Sequence, residues 1–217
     1  MLNRIRFVNN LVIILLTIVG TVLMIRNVDN STGLMSTGLE NLKYYTVLSN
    51  ELCGIVAILW LAFYKVTNGD KSNKARKFMV FLKLTAASAV GVTYAVIAFF
   101  LGPIYGHMKL YQGSNLIFHL ILPLVAMVEF ALLDAGEIPF KWTLFASITS
   151  VLYGLGYIIN ILINGVGVWP DTNDWYGFLN WGYAVGTGIF VGIILFTWAL
   201  ASLLRFINLL IHKKKTN

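Results

Sequence analysis

Six long apolar runs, separated by short polar or aromatic-rich segments, organise the chain; they lie near 7–25, 45–64, 78–101, 115–133, 142–163 and 184–207. Each approaches or exceeds the roughly 20 helical residues needed to cross the hydrocarbon core of a bilayer. The runs are continuous and do not alternate in polarity, which favours helices over a transmembrane barrel. The pattern predicts an all-α membrane protein, six transmembrane helices in a single domain over residues 1–217. No internal repeat, low-complexity tract or interdomain linker interrupts it.

Composition narrows the class further. Hydrophobic residues make up 58% of the chain and charged residues 12%, against about 25% charged in soluble domains. Mean hydropathy is +0.78. These values exclude a disordered chain, a coiled coil and an ordinary soluble domain. The single cysteine, Cys53, allows neither an internal disulfide nor a thiolate metal cluster. No zinc motif, phosphate loop, dinucleotide fingerprint or Gly-x-Ser-x-Gly elbow is present, so no metal and no cofactor is expected.

The charges give orientation. Lys and Arg number 16 against 9 Asp and Glu, a net +7. They cluster at the N-terminus (Arg4, Arg6), in the second loop (Lys65, Lys71, Lys74, Arg76, Lys77) and in the C-terminal tail (Lys213, Lys214, Lys215). By the positive-inside rule these three regions share the cytoplasmic side, which places both termini there. The other loops are poor in Lys and Arg: Asp29 and Glu40 mark the first, Lys109 the third, Asp171 and Asp174 the fifth. The basic excess therefore reports topology, and no nucleic-acid partner is expected. No small-x-small cleavage site follows the first run and Arg26 does, so that run reads as a retained helix and not a signal peptide.

Polar residues inside apolar spans are costly and mark candidate sites. Span two begins Tyr45-Thr46-Val47-Leu48-Ser49-Asn50-Glu51, with Thr46 and Asn50 one turn apart on one face. Span four begins Asn115-Leu116-Ile117-Phe118-His119, and Asn115 and His119 repeat that spacing. Span five carries Tyr153, Tyr157, Asn160 and Asn164 on a loose stripe. At about 1.5 Å per residue, Thr46 and His119 each lie roughly 5 Å below the outer boundary, and Asn160 reaches that level from the other direction. Glu51 is expected to be protonated or hydrogen-bonded within the bundle. Glu129 stands toward the cytoplasmic end, within reach of the headgroups by snorkelling. Pro123 cannot donate to the carbonyl of His119 and so predicts a kink just below that residue. Gly91, Gly154 and Gly156 read as close-packing positions between helices. His107 and His212 form no ligand cluster with His119. The aromatic fifth loop (Trp169, Trp175, Tyr176, Phe178, Trp181, Tyr183) reads as an interfacial anchor or, with Pro170 and Gly177 shaping its turns, as a lid over an outer-leaflet site.

Several of these segments resemble a known family. Tyr44-Tyr45-Thr46-Val47-Leu48-Ser49-Asn50 resembles the second span of prokaryotic members of the androgen-induced-gene family, which includes the androgen-dependent TFPI-regulating protein. Asn115 to Pro123 is similar to its fourth-span pattern Asn-x-x-x-His-x-x-x-Pro. Tyr153-Gly154-Leu155-Gly156-Tyr157 resembles its fifth-span tyrosines. The loop Asp174-Trp175-Tyr176-Gly177-Phe178-Leu179-Asn180 resembles its outer loop without that loop's proline. Animal members are intramembrane hydrolases of fatty acid esters of hydroxy fatty acids, with a threonine nucleophile and a histidine partner. The resemblance thus implies Thr46 and His119 as the catalytic pair, membrane lipids or fatty-acyl esters as the substrates, and a prokaryotic plasma membrane as the location. Asn50, Asn115, Tyr157 and Asn160 are the candidates for substrate binding or for donation to an oxyanion. A membrane acyltransferase would use the same pair with a lipid alcohol in place of water. The reading from another class is a non-catalytic membrane protein or a small transporter with a proton path through Glu51, His119 and Glu129.

The topology makes a direct test. Cysteines introduced in the loop 65–77 and in the loop 165–183 should be labelled by an impermeant thiol reagent from opposite faces of the membrane; equal labelling from one face contradicts the orientation.

Overall fold

The computed structural model describes residues 2–26, 38–168 and 171–213. Asp29, Trp169, Pro170, Lys214 and Lys215 of the sequence reading lie outside these residues. Six helices are long and apolar enough to span a membrane: α1 (Arg4–Ile25), α2 (Tyr45–Ala62), α3 (Lys74–Tyr105), α4 (Gly113–Leu132), α5 (Lys141–Asn164) and α6 (Tyr183–His212). Among the described residues there is no strand. An even number of spans puts both ends on one side, which carries the Lys/Arg-rich segments. That side is called the basic side below and the other the far side. The helices α2, α4 and α6 all run from the far side to the basic side.

Helix α3 is the hub, packed against α2, α4, α5 and α6. Its sequence explains the position. From Lys83 to Thr93 every residue is buried, and most are small: Ala86, Ala87, Ser88, Ala89, Gly91. Small side chains let neighbouring backbones approach from every direction, the usual device where lipid supplies no hydrophobic drive for helix association. Two thirds of its apolar window, 67%, is buried, against 17% for α6. Helix α6 instead turns Leu195, Phe196, Leu203 and Phe206 outward to the lipid.

Helix α1 lies close against α2 and α4. A Cβ at Gly54 would stand 2.7 Å from Thr17 Cγ2, and one at Gly20 would stand 2.4 Å from the Phe118 ring. Gly154 of α5 is closed by Phe190 of α6, whose ring would be 1.6 Å from an added Cβ. A Cβ at Gly91 would stand 3.2 Å from Met127 Sδ. The expectation for Gly156 is corrected: nothing lies within 4 Å of the position a Cβ would take. The i, i+2 spacing from Gly154 rotates Gly156 away from the α6 contact.

Charged and amide groups tie the basic half together. Lys83 Nζ lies 3.2 Å from Glu129 Oε2 and donates to Asn10 Oδ1 at 2.5 Å, while Asn10 Nδ2 donates to Glu129 Oε1 at 3.2 Å. Lys83 also stands over the Trp60 ring at 5.6 Å. A small cavity of about 10 Å³, lined by Cys53, Lys83, Ala86, Ala126 and Glu129 among others, adjoins the pair; that is room for about one water molecule. Glu129 therefore does not snorkel. It is 1% exposed, because a cation on α3 reaches it within the bundle at lower cost than the headgroups. Glu51 meets its expectation of an internal partner: the Thr21 hydroxyl of α1 donates to Oε1. At the basic end Arg76 donates to the carbonyls of Thr67, Asp134 and Ala135, and Asn208 Nδ2 donates to those of Phe130 and Leu133, closing the free carbonyls at the end of α4.

Two paired substitutions test the packing. Gly154→Ala should lower stability by about 1–3 kcal/mol, since Phe190 must leave its place, whereas Gly156→Ala should leave it unchanged or slightly raise it. Thermal unfolding of the purified variants in one detergent reads both.

Candidate functional site

The far-side ends of α2 and α4 lie side by side and parallel. Asn50 joins them. Its Nδ2 donates to the Thr46 carbonyl at 2.6 Å and to the Phe118 carbonyl at 2.9 Å. One buried amide, 0% exposed, thus bridges the backbones at Thr46 and at the residue before His119. Ser49 adds to the junction, bonding the Thr46 carbonyl and the Thr93 hydroxyl of α3, each at 3.0 Å. Both amide hydrogens of Asn50 are committed to carbonyls, so its candidacy as an oxyanion donor is corrected: it positions the two helices. Its Oδ1 is buried with no partner among the described residues.

His119 sits in a wider π turn, Ile117–Ile121, directly before Pro123. The kink expected from Pro123 takes this form. The proline ring offers no N–H for the carbonyl of His119, and a π turn accommodates the displaced ladder. The ring is 8% exposed. Nδ1 lies 2.9 Å from the Leu110 carbonyl. A carbonyl can only accept, so Nδ1 carries the proton and neutral His119 presents Nε2 as a lone pair. Leu110 ends the short turn His107–Leu110 between α3 and α4. His107 holds that turn through Nε2, which donates to the Ala98 carbonyl at 2.9 Å, in a second π turn, Val96–Leu101. Gly102 makes room: a Cβ there would be 2.4 Å from the His107 ring.

Thr46 is the second residue of α2, whose first-turn N–H groups have no partner within the helix. Tyr45 N–H is met by the Tyr176 hydroxyl at 2.9 Å, and the Val47 and Leu48 N–H groups reach the Tyr44 carbonyl at 3.1 Å. Among the described residues neither the N–H nor the hydroxyl of Thr46 donates to any group, and no hydrogen bond joins that hydroxyl to the His119 ring. Asn115 stands in the first turn of α4, its N–H on the Gln112 carbonyl at 2.9 Å.

The fifth loop folds back over this end. Asp174 is its anchor: the carboxylate accepts from the Tyr157 hydroxyl at 2.5 Å and from the Phe178 and Leu179 N–H groups at 3.0 and 2.9 Å. Trp175 Nε1 donates to the Tyr153 hydroxyl, which donates to the Lys43 carbonyl at 2.6 Å. Tyr176 stacks on Phe178 with centroids 5.2 Å apart. Burial against these rings holds the Tyr176 phenol well above its ordinary pKa, so it stays a neutral donor and acceptor. Tyr157 and Asn160 belong to this attachment, Asn160 through Asn173 Oδ1 at 3.1 Å. The structure thus joins the α2 backbone at Thr46 to the α4 backbone at Phe118 through Asn50, without a hydrogen bond between the Thr46 and His119 side chains, and places Tyr157 and Asn160 under the loop that covers the start of α2.

The sequence reading missed Lys83, Asn10 and the Leu110 carbonyl, and took Asp174 as a loop charge without its anchoring role. For Lys83 a signal existed: an opposite charge, Glu129, lies near the basic end of the next span. Backbone partners such as Leu110 leave no residue-type signal. Comparison with family models, with curated proteins and with solved structures finds no match to this chain.

The bridging amide is directly testable. Asn50→Ala removes one donor contact between α2 and α4 and one within α2 and should cost about 1–2 kcal/mol of stability. Asn50→Gln, one methylene longer, should not restore both contacts. Unfolding midpoints in lipid discs or detergent measure the pair.

Proposed function

We propose that this chain is an intramembrane hydrolase of fatty-acyl esters, with Thr46 as nucleophile and His119 as general base. The observation that carries the reading is the Nδ1 bond of His119 to the Leu110 carbonyl, 2.9 Å. It fixes the tautomer a base requires, with the lone pair on Nε2. The Asn50 bridge supports it by holding the Thr46 and Phe118 carbonyls on one nitrogen.

In the proposed reaction the Thr46 hydroxyl gives its proton to His119 Nε2 as Oγ1 attacks the acyl carbonyl. The tetrahedral oxyanion collapses, the ester C–O bond breaks, and His119 returns the proton to the departing alcohol. Water then attacks the acyl-threonine with His119 again as base. The unbonded N–H of Thr46, at the positive end of α2, is the donor best placed for the oxyanion. A low-dielectric site strengthens that interaction, and the surrounding leaflet supplies acyl chains directly. The docked aromatic loop supports entry of substrate from the bilayer and not from the far-side solvent.

A fluorophosphonate probe should label the purified protein at Thr46, as read by peptide mapping. Thr46→Ala and His119→Ala should each abolish turnover of a fluorogenic fatty-acyl ester at wild-type levels of folded protein. The double variant should be no worse than either single one, because the two residues act as a unit. Labelling at a different residue, or full turnover by Thr46→Ala, defeats the reading.

A further inference from the structure

Arg6 stands apart among the buried charges of the basic side. It is 9% exposed, and its Nε is buried without an acceptor. Among the described residues its guanidinium makes no hydrogen bond and no ion pair. Of the carboxylates of that side, exposed Glu137 makes no ion pair with Arg6, and the others are engaged elsewhere. Glu129 is held by Lys83 and Asn10, Asp134 by Lys71 at 2.7 Å, and Asp70 by Ser72. Arg76, also buried, directs its donors to three backbone carbonyls and brings no anion.

Arg6 and Arg76 lie within electrostatic range of each other, and Arg6 within range of Asp134. Burial alone would raise the Asp134 carboxyl. The Lys71 hydrogen bond and the charges of Lys71, His212 and Arg6 more than offset that and hold it below the usual carboxylate range. Three cations are buried on this side (Arg6, Arg76 and Lys83) against one buried carboxylate, Glu129, which Lys83 already pairs. A guanidinium removed from water without a counter-charge is strongly disfavoured. Its level in the membrane indicates what would neutralise it: Arg6 stands in the second turn of the helix Leu2–Ile25, directly before the apolar run that starts at Phe7, and so near the headgroup layer. The commonest anion in that layer is phosphate, and a planar guanidinium fork matches its oxygens two at a time.

We propose that Arg6 binds a phosphate group at the basic-side headgroup layer, the phosphodiester of an anionic membrane lipid. Basic pockets between spans on this side are suited to such headgroups. The site is remote from Thr46 and His119 and does not depend on hydrolysis. Through the bond from Asn10 Nδ2 to the Arg6 carbonyl, 2.8 Å, it adjoins the Lys83–Glu129 pair.

The full chain is reconstituted in discs of phosphatidylcholine alone or with phosphatidylglycerol, and thermal unfolding is followed by tryptophan fluorescence. Phosphatidylglycerol should raise the midpoint by about 2–4 °C, the shift that about 1 kcal/mol produces in a chain of this size. Arg6→Gln should lose that rise. Arg4→Gln, an exposed charge half a turn away, should keep it. No rise in the wild type, an equal rise in Arg6→Gln, or an equal loss in Arg4→Gln overturns the proposal. Inorganic phosphate reproducing the rise in phosphatidylcholine discs overturns the lipid assignment in favour of a soluble anion. Should Arg6→Gln fail to fold, native mass spectrometry of the wild type and Arg6→Lys decides. Preferential retention of phosphatidylglycerol by the wild type, weakened in Arg6→Lys, supports the site, and equal retention of both lipids rejects it.

Discussion

A polar group within the hydrocarbon core has only the protein for a partner, and this constraint organises the bundle. Several intramembrane amides and charges serve as connectors between helices. Asn10 and Lys83 bring α1 and α3 to Glu129 on α4. Asn50 joins α2 to α4. Thr21 joins α1 to Glu51 on α2. The apolar surface sets depth in the bilayer, and these few polar contacts set which helix faces which. That division explains why the small-residue helix α3 lies at the centre. Its surface lets four neighbours come near enough for such bonds to close.

Much of this was legible in the sequence, for definite reasons. Six apolar runs give the span number, because transfer free energies act residue by residue and need no knowledge of neighbours. Pro123 marked the place of a break in the regular α ladder, the π turn Ile117–Ile121, since the loss of one backbone donor is local chemistry. Gly154 and Gly156 show where this kind of reading ends. Both carry the same residue-type signal, yet only Gly154 faces another helix, and helix rotation is a tertiary property. Glu129 shows the same limit: its depth suggested the headgroups, and its actual partner, Lys83, depends on helix order.

The candidate site combines contributions of both kinds. Thr46, Asn50 and His119 were visible as polar residues at helical spacing. The element that fixes the imidazole is a main-chain carbonyl in a connecting turn, which any residue type could provide. That turn in turn relies on His107 and on the space left by Gly102. The far-side loop has the same construction: Asp174 gathers two backbone N–H groups and a phenol, and so converts a run of aromatic residues into a docked cover.

The Lys83–Glu129 pair also bears on how the protein is made. Chains are synthesised from the N-terminus, so α3 reaches the membrane with Lys83 before its counter-charge on α4 exists. A lone lysine near the middle of a helix costs about 2.5–3.5 kcal/mol on insertion. Until α4 arrives, α3 is therefore a reluctant span, held by its apolar remainder and by Asn10 of α1. Insertion of α4 is then the committing event of biogenesis, and a chain that stops short of Glu129 leaves a charged helix for quality-control machinery to recognise.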